Sequence, residues 1–459
     1  MDDFRATLPP ALADPLRALA REVQSFGGRA VLVGGAVRDL LLGAIPDELD
    51  VEVFGLDFPA IERALRDQFA PVRVGRSFPV LKLRGHPIDV AVPRVEWATG
   101  PRHTDFGYRA APELDFATAA RRRDFTVNAI SWDPLNGEII DPAGGRADLA
   151  AGVLRKVSDQ FGEDALRVLR AMQFAARLDF EVEEETVATC RSLQADHLAR
   201  ERVFEEWRKL LLQGRKPSRG LFFLEQAGWL RFYPELEATV DTPQDPRWHP
   251  EGNVWPHTLY ALDAFAAERT GDPTEDLVVG LAVLCHDLGK PACTIRAGGA
   301  IRSPGHEKAG IEPTRTFLER LTAESTWFRE VEPLVATHMR PRQLYEQRSG
   351  PSAIRRLAER AGRIDRLLRV CRADAGGRPP FPRGDFAEGD WLREAARQLS
   401  VEKQRPAPLV RGRDLLALGV EPGPRVGALL DRLFEEQLEG TFSSRDEGVA
   451  RARDLLGEG

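Results

Sequence analysis

The stretch VLVGGAVRDLLLGAIPDELDVEVFG (residues 31–55) decides the reading of the fold. A β-branched run ends at Gly34-Gly35, and a helix-forming run starts at once. Two glycines let a backbone approach a ligand closely, and the helix N-terminus that follows offers N–H groups to an anion. Arg38 falls in the first turn, where a guanidinium adds a charge-assisted contact to phosphate. The spacing is neither GxxxxGKS/T nor GxGxxG, so P-loop and dinucleotide-binding readings lack support. Downstream, Glu48, Asp50 and Glu52 share one face of a strand, while Leu49, Val51 and Val53 share the other. Three acids on one face repel each other unless they are solvated or hold cations. A second strand, 88–92, follows the turn Arg84-Gly85-His86-Pro87 and sets Asp89 opposite Ile88, Val90 and Val92. Two carboxylates at i and i+2 plus one from a neighbouring strand form the oxygen set of a two-Mg²⁺ site, with metals about 4 Å apart. Glu48, Asp50 and Asp89 are one such set, and a solvated acidic strand face is the other reading of the same residues.

Outward from this stretch, residues 25–145 alternate β-like runs (30–33, 49–54, 80–83, 88–92, 129–132) with helical segments and Gly/Pro turns, an α+β pattern. Residues 146–240 read as continuous amphipathic helices, for example 164–178 and 201–212. DTPQDPRWHPEGN (241–253) looks like a linker, 254–375 is helical again, and a second loop (376–386) precedes a helical tail. Domains are expected at 1–145, 146–240, 241–385 and 386–459.

At 459 residues the chain is about three domain lengths, and a 42% hydrophobic, 29% charged composition is that of a globular protein. No run reaches the roughly 18 apolar residues of a membrane-spanning helix, and the N-terminus lacks a secretion-signal pattern, so no membrane partner is expected. Four scattered cysteines make no CxxC pair, which excludes a disulfide framework and favours a reducing, cytoplasmic location. A net charge of −7 argues against indiscriminate coating of nucleic acid, although local basic faces matter more than the total. One such face is AIRRLAERAGRIDRLLRVCR (353–372), with seven arginines against Glu359 and Asp365.

The glycine turn followed by the acid strand resembles the nucleotidyltransferase head of the class II tRNA CCA-adding enzyme and bacterial poly(A) polymerase family. RRRDFTVNAI (121–130) resembles its second motif, which implies that Arg123, Asp124 and Asn128 contact triphosphate and ribose. DPAGGRADL (141–149) resembles the element joining head to neck, and EDALRVLRAMQFAARLDF (163–180) the neck motif that selects the base. There Asp164, Arg167 and Arg170 stand at three-residue spacing on one helix face. A carboxylate accepts from an exocyclic amino group and a guanidinium donates to ring acceptors, so the set can read ATP or CTP without a template. The family usually has Asp-x-Asp where this chain has Glu48-Leu49-Asp50, and often a basic residue in place of Asp47.

Eight histidines occur, and four of them fall with two aspartates in an ordered pattern: His257, His286-Asp287 within LCHDLGK, His306, His338 and Asp374. Imidazole–carboxylate mixtures bind transition metals, and a bridging Asp287 suits two ions. The pattern resembles the HD phosphohydrolase superfamily, and its position after a class II head resembles the HD-bearing bacterial branch, a match that RWHPEGNVWPHT (247–258) strengthens. The implied activity is a metal-dependent phosphodiesterase or phosphatase on 2′,3′-cyclic or 2′-phosphate ends. A divalent ion (Ni²⁺, Mn²⁺, Co²⁺ or Mg²⁺) would be its cofactor, Lys290 its phosphate contact and His249 its rim. His86, His103 and His197 receive no role. Residues 408–440 resemble the family's tRNA-holding tail.

The resemblance implies an α+β nucleotidyltransferase head followed by all-α neck, HD and tail domains, adding C, C and A to tRNA 3′ ends from CTP and ATP. In this reading Gly34, Gly35, Arg38 and Arg123 hold the triphosphate, Asp164 and Arg167 read the base, and the loop between Arg94 and Arg121 switches specificity from C to A. Restricted relatives add only A, only CC, or poly(A). A reading of another class is an HD phosphohydrolase with an inactive, RNA-binding head.

Overall fold

In a computed structural model the described residues are 4, 7–75, 79–98, 106–196, 198–379 and 386–457. His103, His197, part of the 94–121 loop and most of the 376–386 loop lie outside them. The chain divides into two compact units, residues 1–206 with 219–229, and 207–218 with 230–459.

Among the described residues, the first 145 positions carry nine strands: β1 (Arg29–Val33), β2 (Leu49–Phe54), β3 (Pro71–Val74), β4 (Val80–Leu83), β5 (Ile88–Ala91), β6 (Arg94–Ala98), β7 (Phe106–Ala110), β8 (Ser131–Trp132) and β9 (Ile139–Ile140). Seven form one mixed sheet in the order β3-β4-β5-β2-β1-β8-β9, and β6 and β7 make a separate antiparallel pair. β2 and β5 run parallel, with Asp50 directly opposite Asp89. The alternation seen in the sequence holds: Leu49, Val51 and Val53 are buried with Leu32, Val90 and the inner faces of helices Pro10–Ser25 and Phe58–Phe69. Fully burying a side chain of this size contributes about 1.5–3 kcal/mol. A one-residue slip of β2 would drive Asp50 and Glu52 into that core, so the register is strongly fixed.

After the sheet, helices Leu166–Leu178, Glu184–Ser192 and Arg200–Gln213 carry the neck. The expectation of continuous helices there is corrected, because Val153–Leu154 and Glu181–Val182 pair as short parallel strands. The neck helix also starts later than expected: Asp164 precedes it and caps it, accepting from Leu166 N at 3.0 Å.

In the second unit, helices Val254–Ala267, Pro273–Cys285, Ser325–Thr337 and Ile364–Gly376 surround the histidines. An unforeseen hairpin, Ile295–Ala297 with Ala300–Arg302, interrupts this helical set. The tail helices Gly412–Ala417, Pro424–Glu439 and Arg445–Gly457 close a small core of their own around Leu415, Leu433 and Ala452. The arginine run at 353–372 is not a free basic face. Arg363 and Arg366 clasp Glu275, Arg369 pairs with Asp276, Arg372 with Glu268, and Arg356 with Glu435 and Glu439. Its charge is spent on holding helices together. Among the described residues, no helix is long and apolar enough to cross a membrane.

Candidate functional site

β1 ends in Gly34 at φ 72°, a left-handed conformation that glycine adopts without strain. A Cβ here would stand 2.9 Å from Arg123 Nη1, so the missing side chain is also what lets Arg123 lie against the bend. Gly35 opens the seven-residue helix Gly35–Leu41. Arg38 departs from its expected phosphate role. It lies on the inner side of that helix, 3% exposed, and donates to Asn128 Oδ1 (2.6 Å) and to its neighbour Asp39 (2.7 Å). Asn128 in turn donates to Asp124 Oδ1 (3.0 Å), and Arg170 Nε donates to Asp124 Oδ2 (2.7 Å). Burial alone would raise the Asp124 carboxyl, but Arg170 and Asn128 hold it below its ordinary range. Arg38, Asn128 and Asp124 therefore form a largely buried polar chain that positions Arg170, and Asp124 also reaches the wall of the cavity described below. A satisfied chain of this kind is rigid, and breaking one member leaves the others uncompensated.

The acid face divides. Glu48 and Asp50 are exposed, whereas Glu52 is 3% exposed and is claimed by Arg122, with Arg123 at 3.6 Å. Although Asp50 keeps exposed surface, the protein around its carboxyl displaces enough water to lift it above its ordinary value; Arg123 opposes this, and the charges of Asp89 and Glu48 add to it. The three carboxylates thus feel one another. Their oxygens are not gathered as tightly as a ligand shell, since among the described residues no trio including them lies within 4.8 Å. Lys82 accounts for part of this, donating to both oxygens of Asp89 at 2.9 and 2.8 Å. A cation already stands beside Asp89, which is what facing carboxylates on paired strands require.

A cavity of about 710 Å³ opens beside this site, lined among others by Arg122, Arg123, Asp164, Arg167, Arg170 and Arg202. Its size suits a nucleotide. Asp164 and Arg167 both line it as expected, and each is fixed by partners. Arg202 Nη2 donates to Asp164 Oδ2 (3.0 Å), while Arg167 donates to the carbonyls of Gln160 and Arg122 (2.7 Å each). Arg122, Arg202, Glu52 and Lys82 were not singled out from the sequence. Glu52 had a signal in its place on the acid face, but the others declare themselves only through tertiary contacts.

The second constellation assembles as expected. His286 and His338 each follow the last turn of a helix, and each Nδ1–H folds back onto the carbonyl three residues earlier, Val283 or Val335, at 2.7 Å. His306 does the same to Ser303 (2.8 Å). A carbonyl only accepts, so these bonds put the proton on Nδ1 and leave each Nε2 as a lone pair pointing inward. The Nε2 atoms of His286 and His257 are 3.4 Å apart, and those of His306 and His338 are 3.2 Å apart. Asp287 lies between the pairs, Oδ2 3.2 Å from His286 and Oδ1 3.4 Å from His306. Both oxygens are buried and accept no well-directed hydrogen bond. Lys290 Nζ is 2.7 Å from Oδ2 but off the hydrogen-bonding line, and its directed bond goes to Gln244 Oε1 at 2.6 Å. Asp374 Oδ1 completes one side, 3.1 Å from His257 Nε2. His257, His286 and Asp374 form one group of possible ligands and Asp287, His306 and His338 another, each within 4.8 Å.

Converging lone pairs around a buried, orphaned carboxylate repel without a cation between them, so this donor set fits two bridged divalent ions. The electrostatics divide between the two histidine pairs. Burial with the neighbouring imidazoles holds His338 down to about 4, in the neutral form a ligand needs. His257 goes the other way: burial opposes its proton, but Asp374 and Glu251 raise it to about 9. Lys290, expected at phosphate, braces the bridging carboxylate from the cavity wall.

The 241–253 segment is more than a linker. Glu251 is fully buried, and its Oε1 takes both His249 Nδ1 and His257 Nδ1 at 2.8 Å, orienting a ligand from behind. Gly289 of HDLGK is equally constrained. A Cβ there would lie 2.1 Å from the His306 carbonyl and 2.5 Å from Gly310 N, so its absence lets His306 approach Asp287.

Residues 30–155 match the Poly A polymerase head domain family, and residues 179–239 match the family described as "Probable RNA and SrmB- binding site of polymerase A". A multifunctional CCA protein of Halorhodospira halophila is 38% identical over 425 residues, covering 87% of this chain and 98% of the relative. One of Methylococcus capsulatus is 36% identical, covering 88% and 93%. Among solved structures, a CCA-adding enzyme in its apo form superposes with a TM-score of 0.66 at 19% identity, over 99% of this chain and 97% of that one. The Bacillus stearothermophilus CCA-adding enzyme in complex with CTP gives 0.63 at 23%, over 97% and 99%.

Proposed function

This chain belongs to the family of multifunctional CCA proteins, and we propose that it adds C, C and A in turn to tRNA 3′ ends, using CTP and ATP. The observation that carries this reading is the parallel register of β2 and β5, which sets Asp50 against Asp89 beside the Gly34 bend. In this reading residues 1–145 are the head, 146–240 the neck, 241–385 the HD domain and 386–459 a tRNA-binding tail.

Nucleotidyltransferases of this family depend on a divalent metal. Glu48, Asp50 and Asp89 are the residues to hold Mg²⁺, whose charge, when bound, favours the attacking 3′-hydroxylate and the leaving pyrophosphate. Lys82 must release Asp89 for this. Its side chain is 55% exposed, so water readily takes the place of the pair. Arg123, seated on the glycine bend, is the cation closest to the expected triphosphate, and Arg170 is aimed by the Arg38–Asn128–Asp124 chain. Asp164 and Arg167, already locked by Arg202 and two carbonyls, present fixed acceptors and donors to a base edge. Pre-set geometry lets a protein surface discriminate CTP and ATP without paying for rearrangement.

The same chain, in this proposal, hydrolyses 2′,3′-cyclic or 2′-phosphate ends at the histidine site. His257, His286, Asp287, His306, His338 and Asp374 are the residues to hold two divalent ions, which when bound lower the pKa of water to the neutral range.

The deciding experiment offers tRNAs ending before the first C, after CC and after CCA to each NTP separately, with Asp50→Ala as control. Ordered C, C, A incorporation lost in Asp50→Ala is expected. Incorporation of A alone, of CC alone or of a poly(A) run would replace full CCA addition by a restricted activity. No incorporation beside retained hydrolysis would leave an HD phosphohydrolase with an inactive head.

A further inference from the structure

The cavity at the histidine site is larger than a phosphate needs. It encloses about 480 Å³, and its lining includes Asp287, His306, His338 and Asp374, but also Trp248, Arg302, Arg342 and Arg378. Trp248 is out of place as a core residue: 57% of its surface is exposed. It is nonetheless held. Its backbone N–H donates to Asp245 O (3.0 Å), the next residue's N–H to the same carbonyl (2.9 Å), and Glu251 grips His249 beside it. Arg342 Cζ stands 5.6 Å from the indole ring centre, and that guanidinium is itself tied to Glu346 at 2.8 Å. An aromatic plane fixed at the rim of a phosphate-ester pocket, backed by arginines, is the arrangement that stacks a nucleobase irrespective of its identity.

We propose that Trp248, backed by Arg342, is a nucleobase platform that seats the terminal nucleoside of an RNA end while its phosphate reaches the histidine site. This rests on the hydrolytic reading above and extends it, assigning selection for a nucleoside over other phosphate esters to one side chain. Stacking accepts any base, so the platform recognises a 3′-terminal nucleotide as a class.

The test compares the parent with Trp248→Ala and Trp248→Phe in the metal-loaded enzyme. Two cyclic diesters are used: adenosine 2′,3′-cyclic phosphate and glycerol 1,2-cyclic phosphate, which has the same reacting ring and no base. The ratio of their kcat/KM values should fall by about tenfold or more in Trp248→Ala, chiefly through KM for the nucleoside, and return towards the parent in Trp248→Phe. Calorimetric binding of adenosine 2′-monophosphate against inorganic phosphate provides a readout independent of turnover, with the nucleotide preference expected to fall in step. An unchanged ratio and an unchanged binding preference overturn the platform. If the parent turns over neither ester yet loses its nucleotide preference in Trp248→Ala, the hydrolytic reading falls and the platform stands.

Discussion

Replacing Glu251 by alanine should weaken the histidine site without touching any ligand. The carboxylate accepts from His257 Nδ1 at 2.8 Å, which keeps the ring turned with Nε2 towards Asp374 and His286. Removing the outer partner of a metal-binding histidine typically costs about 10–100-fold in metal affinity. His257 has a second acceptor in the Gly377 carbonyl at 3.2 Å, so the ring is not set loose and the lower end, about tenfold or 1.4 kcal/mol, is expected. Glu251→Gln keeps an acceptor oxygen but drops the charge, and should fall between the parent and alanine. The measurement is a titration of metal-stripped protein with Co²⁺ or Ni²⁺ in competition with a chromophoric chelator, beside thermal unfolding of the stripped forms. A folded Glu251→Ala protein that binds both ions as tightly as the parent would refute the orienting role, and parent-like affinity in Glu251→Gln would remove its charge from the explanation.

Gly289→Ala should force the His306 backbone away, because a Cβ would sit 2.1 Å from its carbonyl; metal analysis should show fewer ions per chain than in the parent, and equal content would contradict the close-packing argument. Gly34→Ala combines φ 72° with a 2.9 Å approach to Arg123, a strain of about 1–3 kcal/mol. Nucleotide incorporation should drop at least tenfold while the histidine site keeps its metal, and normal incorporation would argue against the glycine bend. Glu275, hydrogen-bonded by Arg366 and paired with Arg363, has its carboxyl held down to about 2. Its contribution is complete above the ordinary glutamate pKa of about 4.3 and is lost as pH falls through the depressed value. Glu275→Gln should therefore lower unfolding stability at pH 7, with a gap that narrows below about pH 4 in urea melts. A pH-independent gap would show that packing rather than charge is at work.

The period-2 alternation around Asp50 and Asp89 was legible because a strand with one buried face must separate apolar from polar residues. The order of histidines and aspartates was legible for a related reason: metal ligands are costly to bury anywhere else, so their clustering along the chain stands out. Helix 164–178 was read two residues too long, since Asp164 caps the helix from outside it, and a carboxylate near a helix start does both jobs in sequence. The short strand pairs at Val153–Leu154 and Ile295–Ala297 went unread, because two or three residues leave no period to detect.

What the chain alone determined is the inventory: a glycine bend ahead of an acid strand, a run of charged residues at 163–180, and six histidine and aspartate side chains in an order that suits metal ligation. Folding decided which members of each set face the chemistry. Arg38, Asn128 and Asp124 look like phosphate and ribose contacts in a string, and folding links them into one hydrogen-bonded chain that also fixes Arg170 at the cavity wall. The arginines of 353–372 look like a nucleic-acid surface, yet acids from distant helices meet them. Trp248 meets Arg342 only across the fold, whereas Glu251 and Lys82 meet partners six and seven residues away whose side chains only the folded backbone turns towards them. The physical reason is the same in each case. A side chain's type sets what it is able to bind, but its partners, fixed by packing and often a hundred residues away, decide whether that capacity is already spent.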